Sequence, residues 1–531
     1  MKNTMTQGWI RAADVKELKR EGRTVFRLEG RQIVLFETVR GIYACNNRCP
    51  HEGYPLRQGV LDENCQLTCN WHNWKFDLVT GDNQRGGDRL RTYPVEVRGD
   101  SIWIEIIDPP FEVQFERALL DLKKAFDDHD YERLARELAR IVRTGADPTA
   151  AMVKAIEWSH ERMEFGWTHA YAGAADWLVL YDRFAESPEN QLICLLEAVG
   201  HMADDTLREA AYPFALGIDK WDEETFVDAL EREDEPTAIR LTRGAVAAGD
   251  PYRTMERGLA RAALAHYASF GHAAIYVHKA GDLIRRLGDS VAEPLLLSLV
   301  RGIISAFRED LIPDFASYAE ALAVYDRKEN GTLCSELSFV GLNPARAMAQ
   351  VARHSGLQPQ LLFRALLTAN ALNMLTFDLS CLEELDTPYG SDRGWLDFSH
   401  ALTFADAVLT LCSRYPDLWP AGLLQMACFA GRNIGHADSD VQFEDWQVPD
   451  KSQFFVEATA RMLDHGESEY IASVHLLKTI QAVQRLSAST EAGPAGDIAL
   501  AALNRLLTSP LRRKMVRRTA RQAMRFIRQD I

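Results

Sequence analysis

Cys49-Pro-His-Glu-Gly-Tyr-Pro-Leu-Arg-Gln-Gly59 and Cys69-Asn-Trp-His-Asn-Trp-Lys-Phe-Asp77 are the two stretches whose reading decides the first part of this chain. The first contains a C-x-H pair, Cys49 and His51. The second contains a C-x-x-H pair, Cys69 and His72, and residues 52–68 separate the two. Each pair sets one thiolate and one imidazole on a short loop, and such donors suit zinc or iron. Two sites meet the count: a Cys2His2 zinc knuckle, or a two-iron cluster with both thiolates on one iron and both imidazoles on the other.

Around these loops the text is β-like. Thr24-Val-Phe-Arg-Leu, Gln32-Ile-Val-Leu-Phe, Gly41-Ile-Tyr-Ala-Cys and Ser101-Ile-Trp-Ile-Glu-Ile are short β-branched or aromatic runs, and Glu29-Gly, Arg40-Gly and Arg98-Gly-Asp separate them. Asp108-Pro109-Pro110 resists both helix and central strand and reads as a linker. From Phe111 the apolar period becomes helical, as in 118–126, 134–142 and 363–372, with prolines 188, 213, 251, 294, 313, 344 and 494 as punctuation. The expected fold is multi-domain: a small all-β domain over 1–107, a linker over 108–112, and a large all-α domain over 113–531. The apolar helix 293–307 is placed at its centre.

Composition narrows the function classes. The chain has 531 residues, a formal net charge of -16, 47% hydrophobic and 26% charged residues. That is a globular composition, and the acidic balance argues against a chain-wide nucleic-acid surface. The N-terminus lacks an apolar core for a signal peptide, and 294–307 is too short to span a bilayer. Nine cysteines in 531 residues are no disulfide framework, so a cytoplasmic protein is expected. Cys45 and Cys65 each precede a metal-motif cysteine by four residues. Either a disulfide or two buried thiols would fit, and buried thiols are preferred.

The two quoted stretches, with Thr80-Gly81 and Tyr93-Pro94-Val95, resemble a Rieske ferredoxin over residues 8–107. The resemblance implies a [2Fe–2S] cluster on Cys49, His51, Cys69 and His72. Family members usually have Pro at the position of Asn70 and Gly at Asn73. High-potential Rieske proteins place hydroxyl donors where this chain has Trp74 and Phe76, so a low potential, about −150 mV, is expected.

The remainder lacks the Asp-x-x-His-x-x-x-x-His run and the sheet of a standard Rieske oxygenase α-subunit. It holds twelve of the 14 histidines. His266, His272 and His278 follow one another at six-residue steps, about 240° apart on a straight helix, so they point three ways unless Gly271 breaks the helix. His475 and Lys478 share a face. In order, Trp167-Thr-His169, Trp177-Leu-Val-Leu-Tyr, Val277-His278-Lys-Ala-Gly, His400-Ala-Leu-Thr and His475-Leu-Leu-Lys478 resemble the questin oxidase-like family of helical non-haem iron oxygenases. That resemblance implies non-haem Fe(II) on His169, His278, His400 and His475, with Lys478 as a carboxylated ligand, acting on a small aromatic or polycyclic substrate with O2. The chain departs from the family in lacking a His-rich cluster near His169 and in the spacing before His278. An NAD(P)H-dependent reductase or ferredoxin would donate electrons, and a homo-oligomer is expected. Two alternatives stand beside this reading. Glu157-x-x-His160, Asp397-x-x-His400 and Glu197 with His201 could build a di-iron site. The chain could also be a Rieske electron carrier fused to a helical protein-interaction or regulatory domain. A basic amphipathic helix over 511–528 is expected to pack on Leu511, Val516 and Ile527.

Overall fold

The computed structural model describes residues 5–6, 8–326, 338–384, 386–387, 392–511 and 515–528. The chain divides into two compact units, Met1–Pro148 and Thr149–Ile531.

The first unit is built on three four-stranded sheets, each antiparallel wherever its strands pair. Arg31–Thr38 explains the layering. Its run Ile33-Val-Leu-Phe36 is buried throughout, because successive strand side chains face opposite ways and this strand has a core on each side. Ile33 and Leu35 enter one core with Ile10, Leu18 and Ile102. Val34 and Phe36 enter the other with Cys45, Cys49, Cys65, Cys69 and Phe76. The third sheet, Val60–Leu61, Gln66–Thr68, Lys75–Asp77 and Asn83–Arg85, carries the Cys69 loop at one of its turns.

Pro109-Pro110 does end the strand region. Pro110 is the N-cap of the helix Phe111–Asp127, and the helix Tyr131–Thr144 follows; both group with the sheets in the first unit. The prolines therefore make a corner between strand and helix inside that unit.

The second unit is helical. Pro188, Pro251, Pro344 and Pro494 each stand at the first position of a helix, where the missing N–H costs nothing. The helix Ala292–Ile304 buries Leu295, Leu296, Leu297, Leu299 and Val300, as its all-round apolarity requires. Four helices, His169–Arg183, His272–Leu287, Trp395–Arg414 and Tyr470–Ala488, each carry a buried or half-buried histidine near the N-terminal end. They form a ring in which each packs on the next. The C-terminal helix Val516–Ile527 departs from expectation. Val516 and Ile527 are exposed, and Arg518 and Gln522 are buried instead. Arg518 turns inward to pair with Asp392 at 2.7 Å; Arg512, Arg513 and Lys514 lie outside the described residues.

Candidate metal centres

The two motif loops of the first unit share one backbone design. Cys49 N–H donates to Tyr54 O and Gly53 N–H to Cys49 O; Cys69 N–H donates to Trp74 O and Asn73 N–H to Cys69 O. The closing residue is left-handed in both, Gly53 at φ +75° and Asn73 at φ +60°. Asparagine is among the few side chains that adopt this region readily, so Asn73 fills a position suited to glycine. Asn70 donates from Nδ2 to Gln58 O at 2.8 Å and ties the second loop to the neighbouring chain segment.

These loops sort the donors by type. Cys49 is buried against Cys69, and burial pushes its thiol up to about 12 when no metal is bound. The imidazoles face each other, Nδ1 to Nδ1 at 3.0 Å, in a group of donors that includes Glu52 and neither cysteine. Two thiolates at one point and two imidazoles at another would suit the two irons of a [2Fe–2S] cluster. The His51 and His72 side chains keep 19% and 39% of their surface exposed, which leaves an edge open to a redox partner. Trp74 lies flat on His51, centroids 4.5 Å apart and planes 12° apart, and Phe76 is in the core. Neither offers the hydroxyl donor of a high-potential site. Cys45 and Cys65 are buried free thiols; Cys65 donates to Thr38 Oγ1 at 3.6 Å.

In the second unit, His169, His272, His400 and His475 converge, one from each helix of the ring. The Nε2 atoms lie 3.1 Å apart for His169 and His272, 2.9 Å for His272 and His400, and 3.2 Å for His400 and His475. Three of these rings have their Nδ1 at a backbone carbonyl: His272 at Ser269 O (2.5 Å), His400 at Leu396 O (2.5 Å) and His475 at Ile471 O (2.6 Å). A carbonyl can only accept, so Nδ1 carries the proton and each Nε2 presents a bare lone pair. Burial, with Lys478 nearby, also holds all four imidazoles below their ordinary value, His272 at about 3. Lone pairs facing one another at about 3 Å repel unless a cation sits among them. The donor set therefore fits a metal ion.

The ring supplies this point with unusual backbone. Ser269, Phe270 and Gly271 are all left-handed, at φ +45°, +53° and +69°, and deliver His272 as the first residue of its helix. A Cβ on Gly271 would stand 2.4 Å from Phe404 Cδ2. Such strain persists only where surrounding contacts enforce it. Phe270 N–H donates to Glu309 Oε2 at 2.7 Å, Arg432 lies 3.8 Å over the Phe270 ring, and that ring packs on His400.

Below the histidines the same helices carry buried charge. Lys478 is one turn beyond His475; its amine has no hydrogen-bond partner among the described residues, and burial pushes it down to about 7. Asp176 and Lys279, each seven residues past a site histidine, pair at 2.6 Å. Asp406 and Arg485 pair farther along the other two helices. Neighbours that meet both at their histidines and again below them run in the same direction.

Comparison with known proteins identifies the domain that carries the first of these sites. Residues 8–94 match the model of the Rieske [2Fe-2S] domain. The ferredoxin component of the naphthalene 1,2-dioxygenase system of Pseudomonas aeruginosa is 30% identical over 104 residues, 99% of its length and 19% of this chain. The chain belongs to the Rieske [2Fe–2S] domain family. A 4beta-methylsterol monooxygenase of Methylococcus capsulatus is 37% identical over 95 residues, and there the chain spans only 26% of the relative's length. Among solved structures, the ferredoxin of carbazole 1,9a-dioxygenase from Nocardioides aromaticivorans IC177 is 27% identical, with 97% of its chain and 18% of this one covered, at a TM-score of 0.18.

In this Rieske protein the histidines proposed from sequence do not all meet. His169, His400 and His475 come together with Lys478 close by, but His278 does not join them. Six residues along the helix from His272, it faces a different neighbour set, with Nε2 3.7 Å from Asp282 and 3.9 Å from Asp406. His272 takes the fourth place. The available signal was Gly271, which breaks the helix and frees His272 from the 240° relation to His266; His266 instead pairs with Glu231 and Asp310. The di-iron motifs are used otherwise. Asp397 accepts from Gly394 N–H at 3.0 Å as a helix cap, His160 stacks on Phe214, and Glu197 pairs with His465 at 3.1 Å.

Proposed function

We propose that this chain is a Rieske-linked non-haem iron oxygenase. Cys49 and Cys69 hold one iron of the [2Fe–2S] cluster, and His51 and His72 hold the other. His169, His272, His400 and His475 hold a single non-haem Fe(II). The observation that carries the reading is the set of bare Nε2 lone pairs directed at one another by carbonyl-bonded imidazoles. Iron bound there supplies the binding and activation of dioxygen.

The residues of the chain do the rest. The four helices reach the site at their N-terminal portions, so the positive ends of their dipoles face it and favour an anionic group beside the metal. The Lys478 amine, depressed toward neutrality and without a partner among the described residues, can add to the carbon of carbon dioxide and release a proton to become such a group, a carbamate. Phe270 and Tyr276 cover the histidines with apolar surface and exclude water. The substrate is a small organic molecule, aromatic or polycyclic in the reading from sequence. Insertion of one oxygen atom into a C–H bond consumes O2, two electrons and two protons and yields the alcohol and water. An NAD(P)H-dependent reductase or a ferredoxin supplies the electrons singly to the cluster, and fusion in one chain raises the effective concentration of carrier and acceptor. The ferredoxin and monooxygenase relatives belong to oxygenase systems, which supports this class of reaction. No helix among the described residues is long and apolar enough to cross a membrane.

The test is iron and acid-labile sulfide per chain on anaerobically purified protein. The expected result is about three irons per two sulfides. A ratio of one iron per sulfide would leave only the cluster and sink the oxygenase in favour of an electron carrier. His400→Ala and His475→Ala should each remove the additional iron and leave the Rieske visible spectrum intact.

A further inference from the structure

The first unit contains a buried ion cluster that neither metal centre uses. Asp88, in the chain between Asn83–Arg85 and Thr92–Tyr93, is fully buried. Its carboxylate accepts from Arg136 Nε at 2.6 Å and from Arg140 Nη1 at 2.9 Å, both on the helix Tyr131–Thr144. Arg133 of the same helix stands 4.0 Å away, and the buried Glu137 bonds to Arg140. Burial would raise the Asp88 carboxyl, but Arg140 and Arg136 hold it below its ordinary value. Buried charges in this number cost stability unless fully paired, and often an apolar contact would serve packing as well. Their placement therefore calls for an explanation.

The residues before Asp88 supply one. Gly86, at φ +127°, lies so close to the Trp74 ring that a Cβ would fall 2.4 Å from Cδ2. A Cβ on Gly87 would meet the Arg133 stem at 3.0 Å and Trp74 at 3.5 Å. The Gly86-Gly87 backbone is thus held between the helix and the indole, and the indole lies flat on His51. The contacts run in series from helix to Asp88, to the glycine loop, to Trp74, to an imidazole of the cluster.

We propose that the helix Tyr131–Thr144 is a working part of the Rieske electron carrier: by gripping Asp88 it fixes Trp74 on His51 and sets the reduction potential of the cluster. Asp88 is a positioning residue. Cluster potential responds to nearby charge, to hydrogen bonding and to solvent exposure. Releasing Trp74 admits water to His51, which favours the more negative reduced state and raises the potential.

The experiment uses the full-length protein with its cluster assembled, in the variants Asp88→Asn and Gly86→Ala. The midpoint potential is read by visible circular dichroism in a redox titration, and the ligand field by the EPR g-values of the reduced cluster. Both variants should shift the reduction equilibrium upward by about tenfold, 59 mV for a one-electron couple, and both should move the g-values. Gly86→Ala leaves every charge in place, so a shift there reports indole position alone. If Asp88→Asn fails to assemble, Arg140→Gln, at a side chain 40% exposed, replaces it. Wild-type potential and g-values in the assembled variants overturn the proposal. So does a shift confined to the charge variants with Gly86→Ala silent, because charge would then act without the indole. The proposal concerns the cluster alone and is independent of iron in the helical unit.

Discussion

His272 and His278 are separated by six residues and by a change of role that one substitution each can read. His272 Nε2 lies 3.1 Å from His169 and 2.9 Å from His400, whereas His278 looks toward Asp282 and Asp406. His272→Ala should therefore strip the helical unit of its metal. His278→Ala should keep it, since the nearest metal donor on its helix is more than a turn away. Metal content by mass spectrometry after gel filtration decides the point, and the reverse pattern would return His278 to the ligand set. In the Rieske unit the same scale explains Asn73. It occupies a left-handed turn that mirrors Gly53, and a β-branched residue there would strain the loop that presents His72.

At the scale of elements, the four parallel helices carry a polar stripe through an otherwise apolar core. Asp176 and Lys279 are both buried and bonded at 2.6 Å, and the second Asp176 oxygen has no hydrogen-bond partner among the described residues. Removing one member of such a pair leaves an uncompensated charge in low dielectric, at a cost of about 3–5 kcal/mol. Lys279→Leu should lower stability by that amount in denaturant unfolding of the helical unit. The double variant Asp176→Leu, Lys279→Leu should recover most of it. A loss in the double variant equal to the sum of the losses in Lys279→Leu and Asp176→Leu alone would mean the pair is not energetically coupled. The left-handed run Ser269–Gly271 belongs to this scale as well. It is the break between the helix Pro251–Ala265 and the helix His272–Leu287, and it puts one histidine of the series in the four-histidine cluster and leaves the other two outside it.

For the molecule as a whole, Glu137 gives the first unit a pH dependence of its own. Burial, beside Asp88 and despite Arg140, pushes Glu137 up from 4.5 to about 7. A carboxyl with a raised folded pKa contributes stability that is fully present below about 4.5 and is lost as pH rises through about 7. The temperature at which the cluster's visible absorbance disappears should accordingly fall between pH 5 and pH 8. Glu137→Gln, which cannot ionise, should flatten that fall. A variant with the wild-type slope would assign the dependence to another group. The site imidazoles of the second unit add nothing to this fall, because they are already neutral across that range.

The sequence by itself determined the Rieske domain over residues 8–94, because its chemistry is local. Two thiols and two imidazoles on two short loops, with alternating strands around them, define the donor set before any long-range contact is known. The change to a helical period at Phe111, the proline helix starts and the buried Ala292–Ile304 were legible for the same reason. The iron-site candidates in the helical half were legible only in part. His169, His400 and His475 stand on three helices, and nothing in the spacing of residues 169 to 475 says which faces will meet. Tertiary packing decided that a left-handed turn at Ser269–Gly271 would bring in His272 and leave His278 among carboxylates. It also decided that the helices Phe111–Asp127 and Tyr131–Thr144 group with the sheets, since the partner of Arg136 and Arg140 is Asp88, some fifty residues earlier. Pairings over such distances follow from which apolar surfaces close on one another, and local periodicity carries no record of that choice.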